Sequence, residues 1–534
     1  MRSQRRLDWV KECAAKEITD AERQTALRVL REKRVALFIV TYNAEHLVES
    51  VLRRVPEEFL DGFVEVILID DNSTDATFEV AQRLRTELGS TALNVYRTPF
   101  NRGYGGNQKL GYLYCIDKGY DYVVLLHGDG QYAPEYLPRV LAALDEPSDA
   151  VFASRMLDKR RALKGGMPVH KWIGNQILTG FGNAVLGSRL SEFHSGFRAY
   201  RVPSLAEIPF AYNSDDFHFD TEIIAQGAES SWKISEVAIP TYYGEEVCHV
   251  PGLLYARDFV TSLITSRLVR LGIFYQRNFD LELFEDEKYQ FKQSPHSLHQ
   301  FVLGSSDLSS ARQTIELGAY RGLLSGQIAE KVSSHVAVHL VEPDLAGEAE
   351  VAAIDLDEPF ARHFGGRIFD VCVSLDVIEH VNNPERFLNE VFKLMKPHGR
   401  LLLSTANVGY FVVRLALLAG QFNYGKRGIL DLSHKRLFTL KTARRLLGQQ
   451  GFRIERVHGF PPPLVDLLNQ RPGMRFLEAV HARLSRWFPK LFAFNILFVA
   501  SRMDSVDEVF ERTFSGGSSG GGAAPELPES QDGQ

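Results

Sequence analysis

Leu126-His127-Gly128-Asp129-Gly130-Gln131-Tyr132 follows directly on the apolar run Tyr122-Val123-Val124-Leu125. A carboxylate leaving a buried strand into a turn with two glycines is where α/β proteins place a metal and a phosphate. A second acidic exit, Val66-Ile67-Leu68-Ile69-Asp70-Asp71-Asn72-Ser73, lies one βαβ unit upstream. Two such exits on neighbouring strands make a nucleotide pocket rather than a lone motif.

Around these runs the strand candidates are residues 35–40, 64–69, 93–96, 122–126 and 150–153, with amphipathic segments between them. The alternation predicts helices on both faces of a largely parallel sheet. A second alternation begins at Thr314, with strand candidates over 314–317, 336–341, 371–375 and 400–404. Residues 487–499 read as a late helix end and a strand of that second core. The fold class is therefore α/β with two doubly wound domains. The 534 residues are read as a charged helical extension over 1–33, a first domain over 34–275, a linker over 276–310, a second domain over 311–512 and a disordered Gly/Ser/Pro-rich tail over 513–534. The two halves share architecture and no repeated motif.

A composition of 45% hydrophobic and 24% charged residues is that of a globular protein, and a net charge of -6 argues against nucleic acid as a partner. The four cysteines, Cys13, Cys115, Cys248 and Cys372, form no CxxC pair, which fits a reduced, cytoplasmic setting. Residues 1–20 lack the apolar core of a signal peptide. The longest apolar stretch, 408–422, is broken by Arg414 and too short to span a bilayer; it reads as a helical cover or as a segment lying flat on a membrane.

Thr41-Tyr42-Asn43-Ala44-Glu45 and Asp70-Asp71-Asn72-Ser73-Thr74-Asp75 end the first two strands, where carboxylates accept hydrogen bonds from a base or ribose. Asn101-Arg102-Gly103-Tyr104-Gly105-Gly106-Asn107 is a glycine-dense turn that lets backbone approach a ligand. Asp129, with Gln131 two residues on, offers hard oxygens for Mg²⁺ or Mn²⁺ bridging a diphosphate.

This ordered series resembles the family 2 glycosyltransferases, and within them the polyprenyl-phosphate sugar synthases, over residues 34 to 245 or so. The resemblance implies a GT-A-type fold and inverting, metal-dependent hexosyl transfer from a nucleotide-diphospho-sugar donor. Tyr42, Glu45, Asp70, Asp71, Gly105, Gly106 and Lys164 are the expected donor contacts, and Asp129 and Gln131 the metal ligands. His127-Gly128-Asp129 stands where the family has Asp-x-Asp, so the leading carboxylate is missing and His127 is left to assist. Ala153-Ser154-Arg155 is similar to the family's Gly-Ser-Arg, and Lys164-Gly165-Gly166-Met167-Pro168 to its flexible loop. Ser191-Glu192-Phe193-His194-Ser195-Gly196-Phe197-Arg198 resembles its Asp-x-x-Ser-Gly-Phe element, which implies Glu192 as an acceptor-facing base. The catalytic set is then Glu192, Asp129, Arg155 and Arg198, with Lys164 and Lys171 adding charge to grip a phosphate. Asp215 and Asp216 read as a solvated loop, Asp220 and Glu222 as facing the site. The acceptor is a lipid phosphate, reached by peripheral contact at the inner face of a membrane, or a glycan.

In the second half, Thr314-Ile315-Glu316-Leu317-Gly318-Ala319-Tyr320-Arg321-Gly322 is a strand and an acidic-glycine turn, Val341-Glu342 closes the next strand, and Asp355 follows. Together with Ser374-Leu375-Asp376-Val377-Ile378-Glu379-His380-Val381 and Leu432-Ser433-His434-Lys435-Arg436, these resemble class I S-adenosylmethionine-dependent methyltransferases, over about residues 288 to 500. The resemblance implies a Rossmann-like fold and S-adenosyl-L-methionine as cofactor, held by Glu316, Gly318, Gly322, Glu342, Asp355 and Asp376. His380 either touches the methyl acceptor or holds a loop, and Tyr320 stands where the turn usually has a glycine. The expectation is a bifunctional enzyme of cell-envelope or polysaccharide biosynthesis. Two alternatives stay open: a glycosyltransferase with a degenerate methyltransferase-fold module, for which Tyr320 speaks, and a non-enzymatic assembly scaffold, for which His127 speaks.

Overall fold

The structure is a computed structural model that describes residues 2–88, 92–240, 252–270, 275–281, 291–320, 322, 324–340, 349–426, 428–467, 472–505 and 508–509. The chain divides into two compact units, residues 1–270 with 274–287, and 271–273 with 288–534.

The first unit opens with helices Arg2–Glu17 and Asp20–Glu32. Thr19 starts the second through a capping box: its hydroxyl accepts from the Glu22 amide at 3.1 Å while the Glu22 carboxylate accepts from the Thr19 amide at 2.7 Å. Val10, Ala14, Ile18, Ala26 and Val29 are buried in the core of this unit, so the charged extension covers the sheet.

Its sheet has seven strands, β1 (Val35–Thr41), β2 (Glu65–Asp70), β3 (Leu93–Arg97), β4 (Tyr122–His127), β5 (Ala150–Ser154), β6 (Arg198–Arg201) and β7 (Ile234–Ala238), in the order β3-β2-β1-β4-β6-β5-β7. β1 and β2 are buried along their whole length, as strands covered on both faces must be. The chain builds outward from β1 to β3 and then returns to β1's other side for β4, which opens a crevice at the carboxyl ends of β1 and β4. The sheet is largely parallel, as expected, with one reversed strand: β6 runs antiparallel to both β4 and β5. Helices Lys159–Lys164 and Val169–Leu186 lie between β5 and β6, and residues 187–197 bring the chain back into the sheet.

The second unit repeats the plan with β8 (Gln313–Leu317), β9 (Ser334–His339), β10 (Glu350–Ala353), β11 (Phe369–Ser374), β12 (Met395–Ala406), β13 (Phe452–Phe460) and β14 (Asn495–Arg502), ordered β10-β9-β8-β11-β12-β14-β13. Here β14 is the reversed strand, antiparallel to β12 and β13, and the crevice opens between β8 and β11. The stretch over 276–310 reads as a linker with a short helix. Its described end carries helices Leu298–Leu303 and Ser306–Ser309, and Leu298, Val302 and Leu308 are buried against this second sheet. The predicted tail over 513–534 lies outside the described residues.

Candidate active sites

In the first unit, the loop after β1 and the turn after β2 are tied to each other. The Asn43 amide donates to the Ser73 hydroxyl (2.8 Å), the Ala44 amide to Thr77 Oγ1 (2.7 Å) and the Glu45 amide to Asp75 (3.2 Å), while the Ala76 amide returns a bond to Glu45 (2.9 Å). Asn43 and Asn72 hold left-handed backbone, φ 49° and 56°, a conformation Asn tolerates better than most. Gly128 separates His127 from Asp129 for a steric reason: a Cβ there would overlap Thr41 Cγ2. β1 and β4 thereby approach closely at the crevice floor.

A cleft of about 1260 Å³ opens above this floor, lined at one end by Tyr42, Glu45, Asp71, Asp129, Gln131 and Arg155. Asp71 is fixed by the Thr98 hydroxyl (3.0 Å) and the Arg102 amide (2.9 Å), and Asp129 Oδ1 by the Gln131 amide (3.0 Å). The other end is lined by His170, Lys171, Ile177, Leu178, Leu253 and Tyr255, from helices Val169–Leu186 and Gly252–Arg270. On these helices Val169, Ile173, Ile177 and Leu253 stand exposed. The strand exits bring carboxylates and Arg155 to the cleft, and the two helices add Ile177, Leu178 and Leu253 beside His170, Lys171 and Tyr255.

Between the two ends runs a chain of rings. Tyr104 donates to Asp220 at 2.9 Å and lies 3.0 Å from His127 Nε2. Burial holds the Tyr104 phenol protonated and lowers His127 to about 4, so its ring is neutral near pH 7. Because Tyr104 has a single proton and gives it to Asp220, His127 Nε2–H donates to Tyr104, which leaves its Nδ1 lone pair 3.9 Å from Asp129 Oδ2. His194 is likewise neutral, lowered to about 4 by burial; its Nδ1 is 2.7 Å from the Tyr255 hydroxyl, and its buried Nε2 has no hydrogen-bond partner.

Several expected site residues are placed elsewhere. Glu192 does not face an acceptor: its carboxylate is buried, bound by the Arg155 guanidinium and amide (2.8 Å to the latter) and by Asn175 (2.8 Å), and Arg155 offsets the burial enough to keep it ionised. It is a positioning residue that fixes Arg155 at the cleft wall. Arg198 is also buried, spent on the Ser195 and Phe193 carbonyls (2.6 and 2.8 Å) and on Asp220 (3.5 Å). Asp70 is fully buried and closes its own turn through the Ser73 amide (3.1 Å), with Arg97 at 3.5 Å. Gly105 and Gly106 lie in the first turn of helix Gly103–Asp117, where their amides bond the Asp215 carbonyl (2.7 and 3.3 Å) and a Cβ would strike Ser214 or Arg102. They serve packing, not donor approach. Lys164 ends helix Lys159–Lys164 exposed and off the cleft, whereas Lys171 lines it. Asp220 is on the cleft wall as expected, but Glu222 turns inward to the Ser214 amide (2.7 Å) and Asn278 (3.0 Å), and burial raises it to about 7. Tyr104 and His194 lie inside the glycine turn and the Ser191–Arg198 element as positions to which no role is assigned, and Tyr255 lies in no motif.

In the second unit, Gly318 has φ 85° and no room for a Cβ beside Val377 Cγ2, so the turns after β8 and β11 touch. Glu316 is buried, accepting from Ser325 Oγ (2.5 Å) with His335 at 3.5 Å; it braces the turn rather than presenting a carboxylate. Gly322 (φ 72°) closes the turn by donating to the Ala319 carbonyl at 2.8 Å. Tyr320 adopts φ 47°, strained for a tyrosine, with its ring edge-on to His339 at 5.6 Å. Asp376, also left-handed at φ 54°, is held by Ser404 (2.6 Å) and Asn495 (2.5 Å). Asp355 lies exposed beyond β10 and accepts from the Asp357 amide at 2.8 Å. Glu342 lies outside the described residues. The His380 ring meets His434 at 4.7 Å, and His434 Nδ1 bonds the Ile429 carbonyl at 2.9 Å. Behind them Glu379 is buried, one oxygen accepting from the Ala406 amide (3.0 Å) and the other unpaired, and burial raises it to about 8.

Residues 36–208 match the family described as glycosyl transferase family 2, and residues 287–457 a methyltransferase domain. An undecaprenyl-phosphate mannosyltransferase of Micrococcus luteus is 28% identical over 211 residues, covering 39% of this chain and 82% of that protein. A polyprenol monophosphomannose synthase of Mycolicibacterium smegmatis is 25% identical over 213 residues, covering 39% and 77%. Among solved structures, glucosyl-3-phosphoglycerate synthase of Mycobacterium tuberculosis, with Mn²⁺, uridine diphosphate and phosphoglyceric acid, is 17% identical with a TM-score of 0.35, covering 45% of this chain and 80% of that one.

Proposed function

With a family 2 glycosyltransferase domain in its first unit and a methyltransferase domain in its second, we propose that this chain glycosylates a polyprenyl phosphate from a nucleotide-diphospho-sugar, with inversion, and methylates a related glycan or lipid-linked product from S-adenosylmethionine. The carrying observation is the two-ended cleft, with Asp71, Asp129 and Arg155 at the strand ends and Ile177, Leu178 and Leu253 at the mouth. A diphosphate suits the first end and a lipid-borne phosphate the second. The two relatives, whose names specify undecaprenyl phosphate and polyprenol, support that acceptor class.

Tyr42, Glu45 and Asp71 would hold the nucleoside on the stitched loops. One acceptor phosphate oxygen attacks the anomeric carbon from the face opposite the diphosphate, the bond from that carbon to the diphosphate oxygen breaks, and the nucleoside diphosphate leaves. A phosphate monoester is ionised near neutral pH and needs alignment rather than a base, which accords with a Glu192 consumed by Arg155. Arg155 would face the donor diphosphate, and His194 Nε2 and Lys171 would lie toward the acceptor phosphate.

Among the described residues no three His, Cys, Asp or Glu side chains cluster as a closed metal cage. A single carboxylate nevertheless fits Mg²⁺ or Mn²⁺, which keep waters and take further oxygens from a bound diphosphate. Asp129 would hold such an ion, with Gln131 and the His127 Nδ1 lone pair beside it. It would offset the charge that develops on the departing diphosphate.

In the second unit, the Gly318 turn and Asp376 would seat the adenosyl cofactor, and His380 with His434 would border the methyl acceptor. The test is transfer of labelled sugar from a panel of nucleotide-sugars to undecaprenyl phosphate with Mn²⁺, alongside calorimetry with S-adenosylmethionine. No transfer to any lipid phosphate would sink the first half of the reading; no heat would sink the second and leave that unit a non-catalytic module.

A further inference from the structure

The apolar stretch around Arg414, read as a helical cover or as a segment lying flat on a membrane, leaves part of its apolar surface exposed. It forms helix Phe411–Leu418, with Val413 buried but Leu415 and Leu418 exposed, the latter at 85%. Helix Pro472–Trp487 stands beside it: the Tyr410 and Phe411 rings lie 5.7 and 6.2 Å from His481, and Phe411 lies 5.3 Å from Phe492. This second helix turns Glu478 and Ser485 inward and Phe476, Val480 and Trp487 outward, Phe476 and Trp487 at 69% exposure. Phe488 extends the apolar face, also exposed.

The exposed charges within these two segments all have one sign. Residues 408–426 and 472–492 contain one acid, Glu478, and it is buried, accepting from the Ser294 hydroxyl and from the Val465 amide at 2.8 Å. Arg414, Arg475, Arg483, Arg486 and Lys490 are exposed. Such a concentration of cations is marked in a chain of net charge -6. No described helix is long and apolar enough to cross a membrane. An apolar crest flanked by arginines is the pattern of helices that lie in a lipid interface.

We propose that this face of the methyltransferase unit seats on an anionic bilayer surface, with Trp487, Phe488 and Leu418 entering the headgroup layer and Arg483, Arg486 and Lys490 on lipid phosphates. The tryptophan is suited to that depth, having an apolar body and one donor. Arginine stems run along the apolar layer while the guanidinium stays with phosphate and water.

The test is co-sedimentation of the full chain with sucrose-loaded vesicles of phosphatidylcholine alone, or of phosphatidylcholine and phosphatidylglycerol in equal parts. Neither contains polyprenyl phosphate, so the outcome is independent of the proposed acceptor. The chain is expected to sediment with the anionic vesicles and to be released by salt. Arg483→Gln with Arg486→Gln should weaken binding about thirtyfold, and Trp487→Ser with Phe488→Ser should abolish it. All four side chains are exposed, and an unchanged thermal melt would verify folding. Equal binding to both vesicle types, no binding, or variants that bind as the parent does would each overturn the proposal. A concentration-dependent dimer that Trp487→Ser dissolves, without vesicle binding, would assign the face to a second copy of the chain and overturn it too.

Discussion

Arg155 and Glu192 make the most specific residue-level claim. If Glu192 were a base, Glu192→Gln would remove the acid limb of the pH profile. As a clamp on Arg155, it should instead lower kcat/KM by roughly tenfold or more, since a charge-assisted bond contributes about 1.5–3 kcal/mol, and leave the shape of the profile unchanged. Glu192→Ala should go further and destabilise the first unit by about 3–5 kcal/mol, because a buried guanidinium loses its counter-charge; a chemical denaturation curve reads this. Asp129→Ala should reduce sugar transfer at least about a hundredfold and abolish its dependence on added Mn²⁺. At the second site Glu379 gives a prediction in pH. Its carboxyl is raised from the ordinary 4.5 to about 8, so the folded unit holds a proton that the unfolded chain releases. The stabilisation is fully present below pH 4.5 and is lost as pH rises through 8, at up to about 1.4 kcal/mol per pH unit. Glu379→Gln should flatten that decline in melting temperature between pH 6 and 8 if Glu379 is its source.

At the scale of elements, the contact between the β1 and β4 exits is a steric one and can be tested as such. Gly128→Ala should push the Asp129 turn off Thr41 and depress transfer, and Thr41→Ser, which deletes Cγ2 but keeps the hydroxyl on the Ile69 carbonyl, should restore most of it. A double variant no better than Gly128→Ala would refute the contact as the cause. The same strands show what pattern reading captures. β1, β2, β4 and β5 fall where continuous apolar runs predict them, because strands covered on both faces need such runs, and the edge strand β3 falls on its shorter, alternating run. β6 and β7 escape it: Arg-Ala-Tyr-Arg is short and charged at both ends, and Ile-Ser-Glu-Val-Ala is half-buried throughout. Carboxylates were legible as a class but not as individuals. Asp70 and Asp71 are adjacent and alike in type, yet one closes a turn and the other lines the cleft, and only the backbone direction distinguishes them. Glu192 misled for a related reason, since a motif reports that a carboxylate is required without reporting its partner. The cleft aromatics stayed hidden because nothing in their spacing sets them apart from core residues.

For the molecule as a whole, one chain carries two crevices, each where strand order reverses at the carboxyl ends of its sheet. If both units act on one product, as proposed, tethering would raise the effective concentration of that intermediate at the second unit. Incubation with nucleotide-sugar, lipid phosphate and labelled S-adenosylmethionine should therefore place methyl label in the glycosylated product; label that never enters it would separate the two activities. The position of β14 has a further consequence, for the order of synthesis. Among the described residues the strands of the first sheet are complete once residue 238 has been made, whereas β13 pairs there with β14 alone, which ends at Arg502. A ribosome that has reached residue 494 carries a first unit able to close and a second whose outermost strand has nothing to pair with. Chains stopped there should keep sugar transfer while exposing the rest to protease, so incomplete translation would yield a one-activity protein rather than none.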